Sequence, residues 1–327
     1  MPLLSLCMIV KNESEHLTRC LESVQGTVDE IVVVDTGSTD DTVAIAERFG
    51  ARVLHREWTN DFSAARNVSL EAATGDWALV LDADEALSAP RGEAFRQRLR
   101  ETDAAGFRLI VRNLTDGEGL SAFEDVLLTR LFRLGPRIRY DQPIHEQVRP
   151  SIERGGGRVA DSDVLVLHYG YVGDKAQGGV SRIARNLDML RAALQRTPDD
   201  AYLQFQLGVT LNAASAFTEA EEALLSAVGD QTLDPDAQVR AYAVLSQIAL
   251  RANEVPVAKD RARACLAGDP ENAVALYVAA YCAVALGRVD EALPLLDRVL
   301  SHPALSPTHR PLVERLRTLC ASTKSPV

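Results

Sequence analysis

Trp77 to Glu85 reads W-A-L-V-L-D-A-D-E, and no other stretch limits the fold so sharply. The apolar run from Trp77 to Leu81 predicts a short buried strand. It stops at Asp82 and Asp84, two carboxylates one residue apart, which a period of two places on the same side of an extended chain. Like charges held that close repel, and leaving them buried and unpaired is costly. A divalent cation resolves the repulsion, and hard oxygen ligands suit Mg²⁺ or Mn²⁺. Open α/β sheets gather their ligands at the carboxyl ends of strands, where this pair stands. The competing reading is a strand-to-helix turn with an Asp cap, because D-x-D is common in turns.

The 327 residues suffice for two domains, each with its own core. A formal net charge of −11 argues against a nucleic-acid binder and against a protein that lies on anionic membranes. The five cysteines are scattered and form no C-x-x-C pair, as expected for reduced thiols in a cytoplasmic protein. No apolar run approaches the roughly 20 residues that span a bilayer, so no transmembrane segment is expected. Leu3 to Val10 is too short for a signal peptide and reads as a first strand.

Strand and helix signals alternate through the first part of the chain. Strands are expected at Leu3 to Val10, Glu30 to Val34, Ala51 to His55 and Trp77 to Leu81. Between them lie a helix with Leu17, Cys20, Leu21 and Val24 on its apolar face and Ser14 as its cap, a helix from about Asp41 to Phe49, and another from Asp61 to Ala73. This order implies a parallel sheet with crossovers. Further on, Glu93 to Arg100 reads as a surface helix, Gly106 to Arg112 and Leu127 to Phe132 as strands, and Thr115 to Leu120 as a polar loop. A strand at Val164 to His168 follows the Gly155-Gly156-Gly157 turn.

Four blocks occur in order: S-L-C-M-I-V-K-N-E, I-V-V-V-D-T-G-S-T-D-D-T, D-F-S-A-A-R-N and G-D-W-A-L-V-L-D-A-D-E. Together they resemble the family 2 glycosyltransferases of the GT-A fold, over roughly the first 85 residues. R-L-F-R, I-H-E-Q-V and H-Y-G-Y further down are similar to the second half of that family. Thr36 stands where many relatives carry a second Asp. The resemblance implies a nucleotide-diphosphate-sugar donor, a UDP-sugar by preference, and a divalent cation, Mn²⁺ or Mg²⁺. Asp35 would accept the imide N–H of a pyrimidine. Asn12 and Glu13 would touch base or ribose, and Arg66 would reach phosphate. Asp84 and His168 would hold the metal, with Asp82 nearer the ribose. Glu146 would deprotonate the acceptor, with Glu124 and Asp125 as the rival pair. Each residue also has a structural reading: Asp35 as a turn residue, Arg66 as a solvated helix charge, His168 as a buried histidine satisfied by neighbours. His145 is read as orienting Glu146, and Trp58 and Phe62 as core or acceptor-wall residues.

After a linker at Lys175 to Gly179 the strands cease. Leu207-Gly208, Leu211, Ala220, Leu224 and Ala227 keep tetratricopeptide spacing, and the pattern recurs from Leu245 and from Ala279. Ala220, Ala258 and Ala292 lie 38 and 34 residues apart; the four extra residues are expected in Gly229 to Asp234. Leu190, Ala193 and Pro198 belong to an earlier, incomplete unit, and Arg310 to Cys320 to a capping helix. The expected layout is therefore an α/β GT-A domain with a mixed, mainly parallel sheet over 1–175, then an all-α repeat domain over 180–327. Its expected activity is inverting transfer of one sugar to an acceptor, a peptide or protein held by the repeats, or a surface-glycan or lipid-linked precursor. The alternative is a scaffold carrying a degenerate transferase domain. Apart from that choice, the repeats are read either as binding peptides or as bracing the catalytic domain or pairing two subunits as a homodimer.

Overall fold

The structure is a computed structural model and describes residues 2–89, 92–114, 122–170 and 178–324. The described residues form two compact units, one of 2–114 and 124–170, the other of 122–123 and 178–324. The loop expected at 115–120, and Lys175 to Gln177 of the expected linker, lie outside the described residues.

The first unit runs β1 (Leu4–Val10), α1 (Leu17–Ser23), β2 (Glu30–Asp35), α2 (Thr42–Arg48), β3 (Arg52–His55), α3 (Phe62–Ala72), β4 (Trp77–Val80), β5 (Glu85–Ala89), α4 (Glu93–Glu101), β6 (Gly106–Leu114), β7 (Phe123–Arg133), α5 (Arg149–Arg154) and β8 (Val159–His168). One sheet takes the order β3-β2-β1-β4-β7-β6-β8-β5. β3, β2, β1 and β4 are mutually parallel, β7 joins β4 antiparallel, β8 lies parallel to β6, and β5 closes the edge antiparallel to β8. Nearly all of β1 and β4 is buried, as strands covered on both faces require. Leu17, Cys20, Leu21 and Val24 are fully buried against the sheet, as their helical spacing predicts. Each such aliphatic side chain contributes about 1.5–3 kcal/mol of burial.

Ser14 does not cap α1. The helix starts at Leu17 after His16, which makes no side-chain cap, while the Ser14 N–H donates to Asp40 Oδ2 at 3.1 Å. Asp61 does cap α3, its carboxylate accepting the Ala64 N–H at 2.9 Å. β5 and α5 have no counterpart among the elements expected from sequence.

The second unit is all helix: α6 (Gly178–Arg196), α7 (Ala201–Ala213), α8 (Phe217–Gly229), α9 (Pro235–Arg251), α10 (Val255–Gly268), α11 (Ala273–Ala285), α12 (Val289–Ser301) and α13 (Arg310–Lys324). Gly178 and Gly179, expected in a linker, already belong to α6. Helices α7 with α8, α9 with α10 and α11 with α12 pair as antiparallel hairpins whose first members begin at the side-chain caps Asp200, Asp234 and Asn272. Each pair turns on a residue with left-handed φ: Ser215, Asn253 and Gly287. Ala220, Ala258 and Ala292 are fully buried. From cap to turn is 15 residues in the first and third pairs and 19 in the second. The four extra residues therefore lengthen α9, which has 17 residues against 13 in α7, and not the 229–234 connection. Four residues add about one helical turn of 3.6, so the buried face is kept.

Candidate active site

The carboxyl ends of β1, β2 and β4 lie side by side, since Val10 is registered with Asp35 and Cys7 with Val80. Their loops carry most of the residues singled out from sequence. Asp35 ends β2 nearly buried. Its carboxylate accepts the Gly37 N–H at 3.2 Å, the Ser38 N–H at 3.0 Å, and His55 Nδ1 at 3.3 Å. Burial pushes its carboxyl up, but the bonds from Ser38, His55 and Gly37 outweigh this and hold it below the usual carboxylate range. Thr36 is turned inward, its N–H and hydroxyl both donating to the Val10 carbonyl. Asn12 has a left-handed φ of 56° and accepts the Thr39 N–H at 2.7 Å. The Glu13 N–H donates to Thr42 Oγ1 at 2.7 Å.

The D-A-D-E turn sits in a buried charge network. Arg66, on α3, is only 5% exposed. Its Nη2 donates to Asp82 Oδ1 at 2.7 Å, and its Nε donates to Glu146 Oε1. Arg130, on β7, donates from Nη2 to Asp82 Oδ2 at 2.9 Å and to Glu85 Oε1 at 3.1 Å. Glu85, 1% exposed, accepts the Asp82 N–H through Oε2 at 2.8 Å. Burial works to raise the Asp82 carboxyl, yet the two guanidiniums hold it far below the usual range. Glu85 is raised, because its burial outweighs the help from Arg130. The guanidiniums of Arg66 and Arg130 stay charged throughout any working pH.

Glu146 reaches this network from a strained turn. His145 takes a left-handed φ of 52°, and Asp141 and Gln147 exchange both backbone hydrogen bonds, closing a narrow loop. Helix α3 grips that loop along its length. The Phe62 N–H donates to the Pro143 carbonyl at 2.8 Å, and Asn67 bonds both the N–H and the carbonyl of Tyr140. Trp58 and Phe62 meet edge to face with centroids 4.7 Å apart, and both are half-buried rather than core. Asp125 is committed to a bidentate pair with Arg112 at 2.8 Å, five residues along β7 from Arg130 and so about 17 Å of extended strand away. Glu124, exposed, is its neighbour on that strand.

Asp84 projects away from the arginines. Its Oδ2 lies 3.3 Å from His168 Nε2 at the end of β8. His168 Nδ1 lies 2.7 Å from Asn113 Oδ1, which can only accept, so Nδ1 carries the hydrogen and Nε2 turns toward the carboxylate. Protonation of Nε2 would let it donate to Asp84; burial lowers the imidazole pKa, but that hydrogen bond and the charge of Asp84 more than compensate, and the net direction is up. These residues fit a divalent cation: a neutral imidazole lone pair and a carboxylate face one another, with a partner orienting the ring from behind. Gly170 keeps the space open, since a Cβ there would stand 2.3 Å from Asp84 Oδ2 and 2.7 Å from His168 Nε2. Among the described residues no third His, Cys, Asp or Glu joins them. Arg130, Glu85, Asn67 and Asn113 are members of the site that sequence reasoning missed. Arg130 opens the quoted R-L-F-R block and Asn67 ends A-R-N, so the signal was a polar residue inside a recognised block.

Residues 5–145 match the family Glycosyl transferase family 2, and 179–237 and 249–316 match tetratricopeptide repeats. The N-terminal unit is a family 2 glycosyltransferase domain. It has the expected mixed, mostly parallel sheet, and tetratricopeptide repeats follow it. A TPR repeat-containing protein of Synechococcus elongatus is 37% identical over 270 residues, covering 80% of this chain and 65% of that one. Glycosyltransferase SunS of Bacillus subtilis, SPbeta prophage-derived, is 26% identical over 232 residues, covering 70% of this chain and 54% of SunS. An uncharacterised glycosyltransferase of Rickettsia felis is 44% identical over 85 residues, 26% of this chain and 30% of that one. The chain thus spans only part of the length of the curated relatives it matches. No described helix is long and apolar enough to cross a membrane.

Proposed function

We propose that this chain transfers a single sugar from a nucleotide-diphosphate-sugar, a UDP-sugar by preference, to an acceptor with inversion at the anomeric carbon. The observation that carries this reading is a shared, buried arginine: Arg66 holds both Glu146 and Asp82 of the D-A-D-E turn, whose Asp84 faces His168 at the end of β8. Asp84 and His168 would hold Mn²⁺ or Mg²⁺, and substrate phosphate oxygens suit the positions that two protein ligands leave open. The cation would offset charge on the departing diphosphate.

Asp35 would read a pyrimidine base, with Asn12 and Glu13 on the neighbouring first loop touching base or ribose. Asp82 is about a third exposed at its side chain and presents that edge to the ribose. Glu146 takes the acceptor proton through the oxygen that Arg66 does not engage. Arg66, expected from sequence to meet phosphate, is buried with two donors spent on carboxylates, so in this reading it positions Glu146 and Asp82. One displacement by the deprotonated acceptor inverts the centre. The helical repeats would present a peptide or protein acceptor.

The test pairs a panel of UDP-sugars with mass analysis of released UDP and of modified acceptor peptides, with and without Mn²⁺. Glu146→Gln should cut transfer by about 10²–10⁴-fold while UDP still raises the melting temperature. If no nucleotide shifts the wild-type melting temperature and no donor is consumed, the repeats are a scaffold and the enzyme reading fails.

A further inference from the structure

Arg130 closes the D-A-D-E turn on itself. One nitrogen, Nη2, bonds Asp82 Oδ2 and Glu85 Oε1, and the other Glu85 oxygen accepts the Asp82 N–H. With Arg66 on Asp82 Oδ1, both Asp82 oxygens are engaged by guanidinium. Asp84, two residues on, meets neither arginine, and its carboxylate faces His168. Four acids crowd this turn, Asp82, Asp84, Glu85 and Glu146, against Arg66 and Arg130. Were Arg130 neutral, the nearest carboxylates would carry a surplus that draws a divalent cation across Asp82 and Asp84 together, since Coulomb attraction strengthens as solvent is excluded.

We propose that Arg130 is a positioning residue that sorts the acids of this turn: it pairs Asp82 with Glu85, keeps both out of cation coordination, and leaves Asp84 with His168 as the carboxylate the cation meets. This rests on the metal-dependent reading above. Charge alone does not explain the choice of arginine. A lysine would keep the charge, but its shorter stem holds its nitrogen short of the place where Nη2 bridges the two carboxylates. Glu85 needs that bridge, being almost fully buried with its carboxylate desolvated.

Titration of free Mn²⁺ by electron paramagnetic resonance reads the cation directly, without turnover. Asp84→Asn should weaken Mn²⁺ at least about tenfold, whereas Asp82→Asn should leave its affinity within about threefold. Arg130→Met should bind Mn²⁺ about tenfold more tightly, because Asp82 is released to join Asp84 on the cation, yet lose kcat at least tenfold with the donor KM little changed. Arg130→Lys should fall between Arg130→Met and wild type in both measures. The proposal is overturned if Arg130→Met binds Mn²⁺ no more tightly than wild type. It is equally overturned if Asp82→Asn weakens Mn²⁺ as much as Asp84→Asn does, an arm that holds even if Arg130→Met does not fold. In that second case the metal-dependent reading survives. A wild-type protein that binds no Mn²⁺ overturns both.

Discussion

Gly170 offers the sharpest single perturbation of the candidate site. Its φ lies outside the left-handed region, so the backbone there does not demand glycine. What demands it is space. Alanine would place Cβ 2.3 Å from Asp84 Oδ2, 2.7 Å from His168 Nε2 and 3.3 Å from the Asp84 carboxyl carbon. Restoring ordinary contact requires the Asp84 oxygen to retreat by about 1 Å. Metal–ligand distances tolerate about 0.2 Å, so a displacement of that size removes a ligand rather than stretching a bond. Neither partner can yield without loss. His168 is fixed from behind by Asn113, and the Asp84 carbonyl is tied to the Tyr169 N–H at 3.0 Å. Gly170→Ala should therefore weaken Mn²⁺ by about 10–100-fold, with activity restored in part by excess metal. The strain in the metal-free protein should be about 1–3 kcal/mol. Calorimetric titration with Mn²⁺ gives the affinity, and denaturation in a chelator gives the stability. If the variant binds Mn²⁺ with wild-type affinity, the pair is not where the cation sits.

Two further substitutions separate scaffold from site. Gly208→Ala would put Cβ 2.5 Å from Leu224 Cγ and 3.0 Å from the Ala220 carbonyl, where α7 and α8 cross. It should destabilise the repeats by about 1–3 kcal/mol in urea unfolding and leave Mn²⁺ affinity unchanged. Asp29 accepts the N–H groups of Leu3 and Leu4 and pairs with Arg96 at 2.9 Å. Burial opposes ionisation, but Arg96 and the two N–H groups win and hold its carboxyl below the usual range. A depressed carboxyl contributes stability above its unfolded pKa, about 4, and loses it as pH falls through the lower folded value. Asp29→Asn should cost about 1–2 kcal/mol at pH 7, and its deficit against wild type should shrink toward pH 3.

The sequence legibly carried what depends on local pattern. Buried strands announce themselves as apolar runs, and the fully buried alanines of the repeats keep their spacing whatever surrounds them. β5 was illegible because E-A-L-S-A has no strand signal of its own. It exists by pairing with β8 some eighty residues later, with Glu85 registered against His168. The lengthened α9 was misplaced for a related reason. A four-residue insertion within a helix leaves the apolar face in phase, so periodicity cannot show on which side of the turn it fell. Charge pairing was illegible altogether: Arg66 meets partners 16 and 80 residues away, and Arg130 partners 45 and 48 residues away.

The geometry also explains why a set of short blocks says more than D-x-D alone. Each block satisfies its polar groups on another block. K-N-E-S is laced to D-T-G-S-T-D-D-T by Asn12 with Ser38 and Thr39, Glu13 with Thr42, and Ser14 with Asp40. A-R-N holds the H-E-Q turn, Arg66 by the Glu146 carboxylate and Asn67 by the Tyr140 backbone. D-A-D-E meets H-Y-G through Asp84, His168 and the space Gly170 leaves. A buried polar group without its partner costs free energy on the order of 1–3 kcal/mol, so the buried charges of A-R-N, H-E-Q and D-A-D-E depend most on their counterparts, while water can meet the exposed links of Asn12 and Ser14. A lone D-x-D satisfies itself in any turn. A D-A-D-E turn whose carboxylates meet Arg66, Arg130 and His168 draws on three other elements, which must be brought together by the fold. That interdependence ties the charges of the site to the strands that carry them.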